Sequence, residues 1–323
     1  MSVPVLLLVF NRPELTARAM DAIRAARPSR LYIAGDGPRR NKANDAELVA
    51  STRAIVMNHI NWSCEVSTLL RDDNLGCGRA VSRAIDWFFD HEEEGIILED
   101  DCVPSGSFFR YCEELLNRYR DDARVMAIAG TDVIHERGSE LSYHFSRFSL
   151  MWGWATWRRA WRLYDYEMQT WPGRKASGFL ETIGLGDRDF VRTFKRLFDA
   201  SYAQSMNAWD YQWIYCCWAN SGLTALPSVN LVQNIGFGPD ATHTTDAWCP
   251  GRANVPAEEL TFPLQHPPRV VANDQRDWVI ARRWFRVGWN GDLRYWVARV
   301  PLARNCVHFG RAIMHRMRRW FWT

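Results

Sequence analysis

The chain has 323 residues, with 40 lysines and arginines against 37 aspartates and glutamates, and a formal net charge of +3. Its content of 47% hydrophobic and 24% charged residues is that of a globular protein and excludes disordered and collagen-like chains. Nearly every basic residue is an arginine, and a GC-rich genome alone could produce this bias. The 17 tryptophans are more informative, because their large amphipathic rings are typical of sites for sugars, bases or membranes.

The sequence predicts a cytoplasmic protein. It has no apolar stretch of the roughly 20 residues that span a bilayer. The opening apolar run ends at Asn11-Arg12-Pro13 without a basic leader, which indicates a buried strand and not a signal peptide. The eight cysteines include no C-x-x-C pair, so we expect reduced thiols.

The first 130 residues alternate between apolar runs and helical patterns. Helices are expected between the runs, and the strands are predicted at residues 3–10, 31–34, 65–70, 95–98 and 125–129. Strands that are apolar throughout and separated by helices are typical of a parallel sheet covered on both faces. The sequence therefore predicts an α/β fold.

Polar residues follow the predicted strands at their carboxyl ends, where open α/β sheets bind ligands. The triplet Glu99-Asp100-Asp101 is the most informative of them, because adjacent carboxylates after a buried strand repel one another. A divalent cation with oxygen ligands, Mg²⁺ or Mn²⁺ bridging to a diphosphate, would remove the repulsion. A solvated acidic turn is the alternative.

Asp36 and three arginines are candidates for nucleotide contacts. Asp36 lies between two glycines that let a ligand approach the backbone, although an ordinary Asp-Gly turn has the same pattern. Arg12, Arg71 and Arg79 are candidates for phosphate because guanidinium binds it in a bidentate manner. Arg71 directly follows a strand and is favoured over Arg79. The chain has no Walker loop and no G-x-G-x-x-G sequence.

The alternation ends after residue 130. An aromatic-rich stretch covers residues 143–175, and a helix at 187–202 and one or two strands at 222–232 follow. We divide the chain into residues 1–130 and 131–249 as two halves of one domain, 250–281 as a linker or wrapping arm, and 282–323 as a basic tail.

The motifs together resemble a known family. The first half resembles the nucleotide-sugar half of GT-A glycosyltransferases, most closely the branch of N-acetylglucosaminyltransferase I, in Asn11-Arg12-Pro13, Asp36, Asn74-Leu75-Gly76 and Glu99-Asp100-Asp101. The second half resembles bacterial nucleotide-diphospho-sugar transferases in its motifs at 152–157, 209–213 and 234–236. The resemblance covers about residues 3–245. It implies a GT-A (Rossmann-like) α/β fold with a mixed, mainly parallel sheet flanked by helices, an aromatic-rich acceptor half and a C-terminal helical tail.

The resemblance also implies roles for individual residues. Nucleotide-binding residues would be Arg12, Asp36, Arg71, Asn74, Arg79 and Asp100, with Asp36 on the uracil or ribose. Asp101 would be the direct ligand of Mn²⁺ or Mg²⁺, supported by Glu99 and by His243 of a Gly/Asp/Thr-rich loop. Because the triplet differs from the Asp-x-Asp motif, the individual roles of Glu99, Asp100 and Asp101 stay open.

Asp210 would be the general base that deprotonates the acceptor hydroxyl in an inverting displacement. An aspartate between two tryptophans suits this role, because partial desolvation raises a carboxyl pKa; an acid at a helix N-terminus is the alternative. Aromatic rings pack against the C–H faces of sugars. Trp152, Trp154, Trp209 and Trp213 are therefore predicted to shape the sugar or acceptor pocket, although each alone is also a candidate for the core.

The last forty residues or so predict a basic amphipathic helix. From residue 282 onward there are ten arginines and one acid, Asp292. On a helical wheel Arg304, Arg311 and Arg318 share one face, opposite an apolar face that includes Phe309. Peripheral binding to an anionic membrane and docking on the domain are both consistent with this pattern. Nucleic acid is excluded as a partner, because no basic groove continues this surface.

The expected activity is a metal-dependent transfer of a sugar from a nucleotide-diphosphate donor, UDP-linked and of the UDP-GlcNAc type, to a hydroxyl of a surface glycan or lipid-linked glycan. Two alternatives are a sugar-nucleotide pyrophosphorylase and a non-catalytic glycan-binding protein. The first normally has a glycine-rich loop after its first strand, where this chain has Phe10-Asn11-Arg12-Pro13. The second would not need three carboxylates at a strand end.

Overall fold

The structure, a computed structural model, describes residues 1–134, 139–237 and 255–288. These residues form ten strands and ten helices. In chain order they are β1 (Val5–Val9), α1 (Pro13–Ala26), β2 (Arg30–Gly35), α2 (Asp45–His59), β3 (Glu65–Leu70), α3 (Cys77–His91), β4 (Glu94–Glu99), β5 (Cys102–Pro104), α4 (Gly106–Arg118), β6 (Val125–Ala129), β7 (Tyr143–Ser146), β8 (Trp154–Trp157), α5 (Arg158–Trp161), α6 (Trp171–Ala176), α7 (Phe179–Ile183), α8 (Arg188–Tyr202), α9 (Asp210–Ala219), β9 (Leu223–Pro227), β10 (Val232–Asn234) and α10 (Asp274–Arg283).

Eight of the strands form one mixed sheet in the order β3-β2-β1-β4-β8-β6-β9-β7. The first four are parallel, β8 runs antiparallel between β4 and β6, and β7 runs antiparallel to β9 at the edge. Since β9 is parallel to β6, six of the eight strands point the same way. The predicted α/β fold class, with a mixed, mainly parallel sheet flanked by helices, is confirmed.

The apolar strands are buried on both faces, which explains their continuous hydrophobic runs. In β1, Leu6 and Leu8 belong to one core cluster, and Val5, Leu7 and Val9 belong to the other. Successive side chains of a strand point to opposite faces, so each face needs its own layer of helices. Phe88 of α3 lies in the first cluster and Leu115 of α4 in the second.

Three strands were not expected from the sequence: β5, β7 and β8. Both β7 and β8 are four residues long, and every residue in them is buried. A short strand buried on both faces shows no alternation of polar and apolar residues, so its aromatic residues are indistinguishable from those of a loop. The antiparallel β8 joins the aromatic second part of the chain to the centre of the sheet.

Residues 255–288 pack along the outside of the domain. The Glu259 carboxylate accepts hydrogen bonds from the amides of Gly106 (3.0 Å) and Ser107 (2.8 Å) at the start of α4. In α10, buried Asp277 accepts a 2.5 Å hydrogen bond from the Ser146 hydroxyl. The boundary predicted between residues 281 and 282 falls within α10. Residues 289–323 of the predicted tail lie outside the described residues.

No helix in the described ranges is both long enough and apolar enough to cross a membrane.

Candidate active site

A cavity of about 710 Å³ opens at the carboxyl edge of the sheet. We call one side the strand-end wall, which consists of the lining residues Phe10, Arg12, Asp36, Arg39, Arg71, Asn74, Glu99, Asp100 and Asp101. We call the other side the helical wall, which consists of the lining residues Arg196, Leu197, Met206, Asn207, Ala208, Trp209, Asp210, Tyr211, Ile214, Trp284, Phe285 and Arg286. The two halves of the domain thus face each other across one space, as the position of ligand sites in open α/β sheets predicts.

The acidic triplet lies at the end of β4 and is held by Arg12. The Arg12 guanidinium is 2.8 Å from Asp101 Oδ2 and 3.6 Å from Asp100 Oδ1. The amide of Phe10 donates to Asp100 Oδ2 at 3.1 Å. Burial raises the pKa of Glu99 and that of Asp100, and the neighbouring Asp101 carboxylate raises both further. One arginine therefore compensates only part of the negative charge that the strand concentrates here.

A small second sheet aligns a later motif with the triplet. The strands β5 and β10 pair antiparallel, with Asn234 opposite Cys102. The amide of Ile235 donates to the Asp101 carbonyl at 2.9 Å, and the side-chain amide of Asn234 approaches Asp101 Oδ1 at 3.5 Å. A Cβ atom at Gly236 would overlap the Asp101 carboxylate. A side chain at position 236 would therefore displace that carboxylate.

Asp36 organises a loop in the strand-end wall. Its buried carboxylate accepts hydrogen bonds from the Leu75 amide at 3.0 and 3.1 Å, from the Gly76 amide at 3.0 Å and from the Asn74 side chain at 2.9 Å. The ordinary Asp-Gly turn considered from the sequence does not describe this arrangement, since the partners lie almost forty residues away. Asp36 and Asn74, both predicted to bind nucleotide, are thus joined directly to each other.

Arg71 and Arg79, the two arginines that the sequence analysis ranked as candidates for phosphate, lie in different surroundings. Arg71 lines the cavity, and its guanidinium makes no hydrogen bond or ion pair with any of the residues that the structure describes. Burial lowers its pKa, against the opposing effect of Asp36. Arg79 instead points away from the cavity, 2.9 Å from Glu167 and over the ring of Tyr166. The prediction that Arg79 binds nucleotide is therefore not supported, because its side chain is held by Glu167 and Tyr166, although Cys77 and Ala80 of the same turn line the cavity.

A further arginine of the strand-end wall, Arg39, was not predicted. Asp45 accepts hydrogen bonds from its amide and Nε atom at 2.7 and 3.1 Å and from its Nη2 atom at 2.7 Å. Asn11 donates to the same carboxylate at 2.6 Å. The Arg39 guanidinium lies 5.1 Å from the centre of the Phe10 ring. Asp45 thereby joins the loops that follow β1 and β2.

This network predicts a pH-dependent contribution to stability. Hydrogen bonds from the Arg39 guanidinium lower the pKa of Asp45 from 3.8 to about 2. The stabilisation is therefore complete above about pH 4 and is lost as the pH falls towards 2. We expect Asp45→Asn to lower the free energy of unfolding by about 2 kcal/mol at pH 7. Urea unfolding of both proteins from pH 7 to 2.5 should show this difference narrowing, and a constant difference would contradict the assignment.

Asp73→Asn is the matched control for this measurement. Asp73 is exposed and pairs with Arg40, which is itself exposed. We expect a change of at most about 0.5 kcal/mol, as for other surface ion pairs.

Asp210 is the first residue of α9 and lines the cavity on the helical wall. Its carboxylate is close enough to raise the pKa of Glu99, after the larger effects of burial, Asp101 and Asp100. Both carboxylates also act on Cys77, whose pKa is raised mainly by burial and then by Glu99 and Asp210. Cys77 is thus a neutral thiol among carboxylates, and the sequence did not single it out.

Asn207 joins the helical wall to the loop that Asp36 holds. Its Oδ1 atom accepts a 2.9 Å hydrogen bond from the Gly78 amide at the start of α3. Gly76 has a φ of 78°, and a Cβ there would lie 2.6 Å from Asn207 Nδ2. The loop 74–78 is therefore held from both sides, by Asp36 on one wall and by Asn207 on the other.

Two of the four candidate tryptophans line the cavity. Trp209 is on the helical wall, and Trp152 lies at its edge, 4.5 Å from the Trp284 ring centre. Trp154 and Trp213 are buried behind Trp209, with ring centres 5.7 Å (Trp154–Trp209) and 5.5 Å (Trp154–Trp213) apart. The prediction that Trp154 and Trp213 shape the pocket is corrected: they form the core on which Trp209 rests.

The oxygen donors of the triplet are of the kind that Mg²⁺ and Mn²⁺ prefer. In the described parts of the chain, however, no three His, Cys, Asp or Glu side chains are placed to hold a metal ion together. Such a donor set fits a cation that takes one or two carboxylates from the protein and its other ligands from a substrate phosphate. His243, the third predicted metal ligand beside Asp101 and Glu99, lies outside the described residues.

No known family profile matches the chain, and no curated protein matches it. Solved structures with a similar arrangement include mouse xyloside xylosyltransferase 1 in its apo form, at 10% identity over 66% of this chain and 81% of that one, with a TM-score of 0.34. A UDP-glucose pyrophosphorylase complexed with UDP-glucose aligns at 12% identity over 51% and 79%, with a TM-score of 0.31. HddC from Yersinia pseudotuberculosis aligns at 12% over 49% and 77%, with a TM-score of 0.29. Similarity at this level carries no inference about activity.

Proposed function

We propose that the chain is a metal-dependent glycosyltransferase that moves a sugar from a nucleotide-diphosphate donor to an acceptor hydroxyl with inversion. One observation carries the proposal: an arginine suited to phosphate, Arg71, and an acidic strand end line the same cavity as the carboxylate of Asp210. In this cavity the arginine and the strand end would stabilise a charged leaving group, and Asp210 would serve as the base.

The residues of the strand-end wall would bind the donor. Arg71 and Arg12 carry positive charge at the strand ends, where guanidinium groups can bind the diphosphate in a bidentate manner. Asp101, with Glu99 and Asp100 in support, would hold Mn²⁺ or Mg²⁺. When bound, such a cation stabilises the negative charge that develops on the departing diphosphate.

Asp210 would accept the proton of the acceptor hydroxyl as its oxygen attacks the anomeric carbon of the donor. The bond from that carbon to the diphosphate breaks, the electron pair leaves with the nucleoside diphosphate, and the configuration inverts. Trp152 would present its ring face to sugar C–H bonds, and Trp209, whose exposed fraction is only 3%, would support the cavity wall from within. We propose a UDP-linked donor, of the UDP-GlcNAc type, and a glycan or lipid-linked glycan as acceptor. The basic tail would hold the enzyme at an anionic membrane.

Calorimetry with UDP in the presence and absence of Mn²⁺ tests this proposal. We expect UDP to bind with Mn²⁺ and to bind much more weakly in EDTA. Incubation with UDP-GlcNAc and pyrophosphate separates the pyrophosphorylase alternative, because that reaction would release UTP. UDP binding without any dependence on metal, or release of UTP, would overturn the proposed function.

Arg71→Gln and Arg79→Gln form a matched pair for the phosphate contact. The two arginines lie on one loop and the helix after it, but only Arg71 lines the cavity. Losing a charge-assisted hydrogen bond costs about 1.5–3 kcal/mol, so we expect Arg71→Gln to weaken UDP binding by roughly 10- to 100-fold. Arg79→Gln should leave the Kd unchanged. Equal effects of the two substitutions would contradict the role of Arg71.

A further inference from the structure

One arginine of α2 ties the end of β2 to the end of β3. The Nη2 atom of Arg53 donates hydrogen bonds to the Asp36 carbonyl at 3.2 Å and to the Arg71 carbonyl at 2.5 Å. Asp36 and Arg71 directly follow the two strands, and both line the cavity. Arg53 does not belong to the described lining residues, so it reaches the site only through the backbone of these two residues.

The two carbonyls lie just beyond the last bond of the β2–β3 ladder. The final pair in the register is Gly35 with Leu70, and the Arg71 amide donates to the Gly35 carbonyl at 3.0 Å. After this point the two chains enter different loops, and their next carbonyls need partners from outside the ladder. An Nη atom of arginine carries two hydrogens, so Arg53 can give one to each carbonyl. It thereby extends the connection between the strands by one residue.

The position of Arg53 on α2 explains how its side chain reaches the strand ends. Because α2 follows β2, the helix begins at the carboxyl edge of the sheet and runs back along it. Helical side chains tilt towards the N-terminus of their helix, so a long side chain from the third turn extends back to that edge. The Nε atom of Arg53 is buried and would lie 3.7 Å from a Cβ at Gly35. The side chain therefore crosses over the last residue of β2.

The two residues whose carbonyls Arg53 holds also organise the proposed donor contacts. The Asp36 carboxylate accepts from the amides of Leu75 and Gly76, and Arg71 lines the cavity with its guanidinium. The bonds of Arg53 fix the spacing between the backbones that carry these two groups. A displacement of about 1 Å in a binding or catalytic group can cost about 10²-fold, even when its cause lies outside the site.

We propose that Arg53 is a positioning residue for the donor. By holding both carbonyls, it sets the distance between the loop that Asp36 organises and the guanidinium of Arg71, without contacting the donor itself. This inference rests on the proposed function, since it assigns the strand-end wall to a nucleotide diphosphate. It adds that part of the affinity for this ligand comes from preorganisation of the wall by α2.

Arg53→Met tests the inference, because methionine keeps an apolar stem and removes the guanidinium. The Kd of UDP with Mn²⁺ is measured by calorimetry on the full chain, and the folded fraction is determined by circular dichroism. We expect the Kd to rise about tenfold, since UDP must then also order the two strand ends. Arg53→Lys keeps the charge but not the planar fork, and we expect its Kd to rise only about threefold.

Arg159→Met is the matched control, because Arg159 also holds backbone carbonyls and is half-buried like Arg53. It lies at the amino end of β6, on the opposite edge of the sheet. Its guanidinium donates at 2.7–3.1 Å to the carbonyls of Tyr119, Arg120, Asp122 and Val125. We expect both Met variants to unfold at a lower temperature, and only Arg53→Met to bind UDP more weakly.

A double-mutant cycle with Arg71→Gln tests whether Arg53 acts through Arg71. In the Arg71→Gln background, Arg53→Met should weaken UDP binding by a smaller factor than it does alone, because one of the groups that it positions is already lost. Fully additive effects of the two substitutions would overturn the inference. They would show that the affinity contributed by Arg71 does not depend on Arg53.

The inference is also overturned if Arg53→Met leaves the Kd of UDP unchanged, or if Arg159→Met raises it by the same factor. If Arg53→Met does not fold, Arg53→Lys decides the question, and an unchanged Kd in that variant overturns the inference. Failure of the proposed function is seen separately, because the unmodified chain would then show no metal-dependent binding of UDP.

Discussion

Asp210→Asn should lower the release of UDP from UDP-GlcNAc by about 10²- to 10⁴-fold, which is the usual contribution of a general base. The substitution preserves the shape of the side chain and removes its capacity to accept a proton. The proposed UDP site is the strand-end wall, so the Kd of UDP with Mn²⁺ should change less than twofold. Turnover is measured with water as acceptor, and binding by calorimetry.

Asp189→Asn controls for the position of Asp210 at a helix N-terminus. Asp189 lies in the first turn of α8, as Asp210 does in α9, and both stabilise their helices through the macrodipole by about 0.3–1 kcal/mol. We expect both variants to lose this small stability and only Asp210→Asn to lose turnover. If the Asp210→Asn protein has unchanged kinetics, the Asp210 carboxylate only stabilises the helix N-terminus and is not the general base.

Gly236→Ala should impair metal-dependent nucleotide binding without unfolding the protein. The added methyl group would overlap the Asp101 carboxylate, which must move from its place between Arg12 and Asn234. Overpacking of this kind costs about 1–3 kcal/mol. We expect the Mn²⁺ concentration for half-maximal UDP binding to rise at least about tenfold, because ligand geometry controls metal affinity.

Gly173→Ala is the matched substitution. Gly173 lies in α6, and a Cβ there would meet no atom within 4 Å. It should leave UDP and Mn²⁺ binding unchanged. If Gly236→Ala also leaves the Mn²⁺ dependence unchanged, Asp101 is not the metal ligand, and the cation, if one binds, is held elsewhere in the cavity.

The regular first part of the fold could be predicted from sequence because each element carries its own signal. The runs at residues 65–70 and 125–129 coincide with β3 and β6, and the Asn11-Arg12-Pro13 motif marks the start of α1 with a proline at its first position. The strand β8 could not be predicted, because its neighbours β4 and β6 lie far away in the chain. Only the pairing with those two strands identifies its four buried residues as a strand.

Prediction of the candidate site from the sequence had the same limit: residues whose place depends on distant contacts could not be found. Strand-end position was a sound guide to Arg71 and the acidic triplet, since the end of a strand determines where its next residues lie. The position of a residue in the sequence does not show to which side of a helix its side chain points. For this reason the sequence analysis assigns Arg79 and Trp213 to the cavity, although both face elsewhere. Arg39 follows β2 directly and could have been found by that rule. Asn207 could not, because its role depends on contact with a distant loop.

The helical wall has a consequence for how the protein is made. Its last lining residues, Trp284 to Arg286, follow the acidic triplet by more than 180 positions. Translation from the N-terminus therefore delivers the strand-end wall long before the segment that completes the cavity, and a domain folds as a unit. The helical wall can therefore cover the carboxylates and arginines of the strand-end wall only after residues 284–286 have been synthesised.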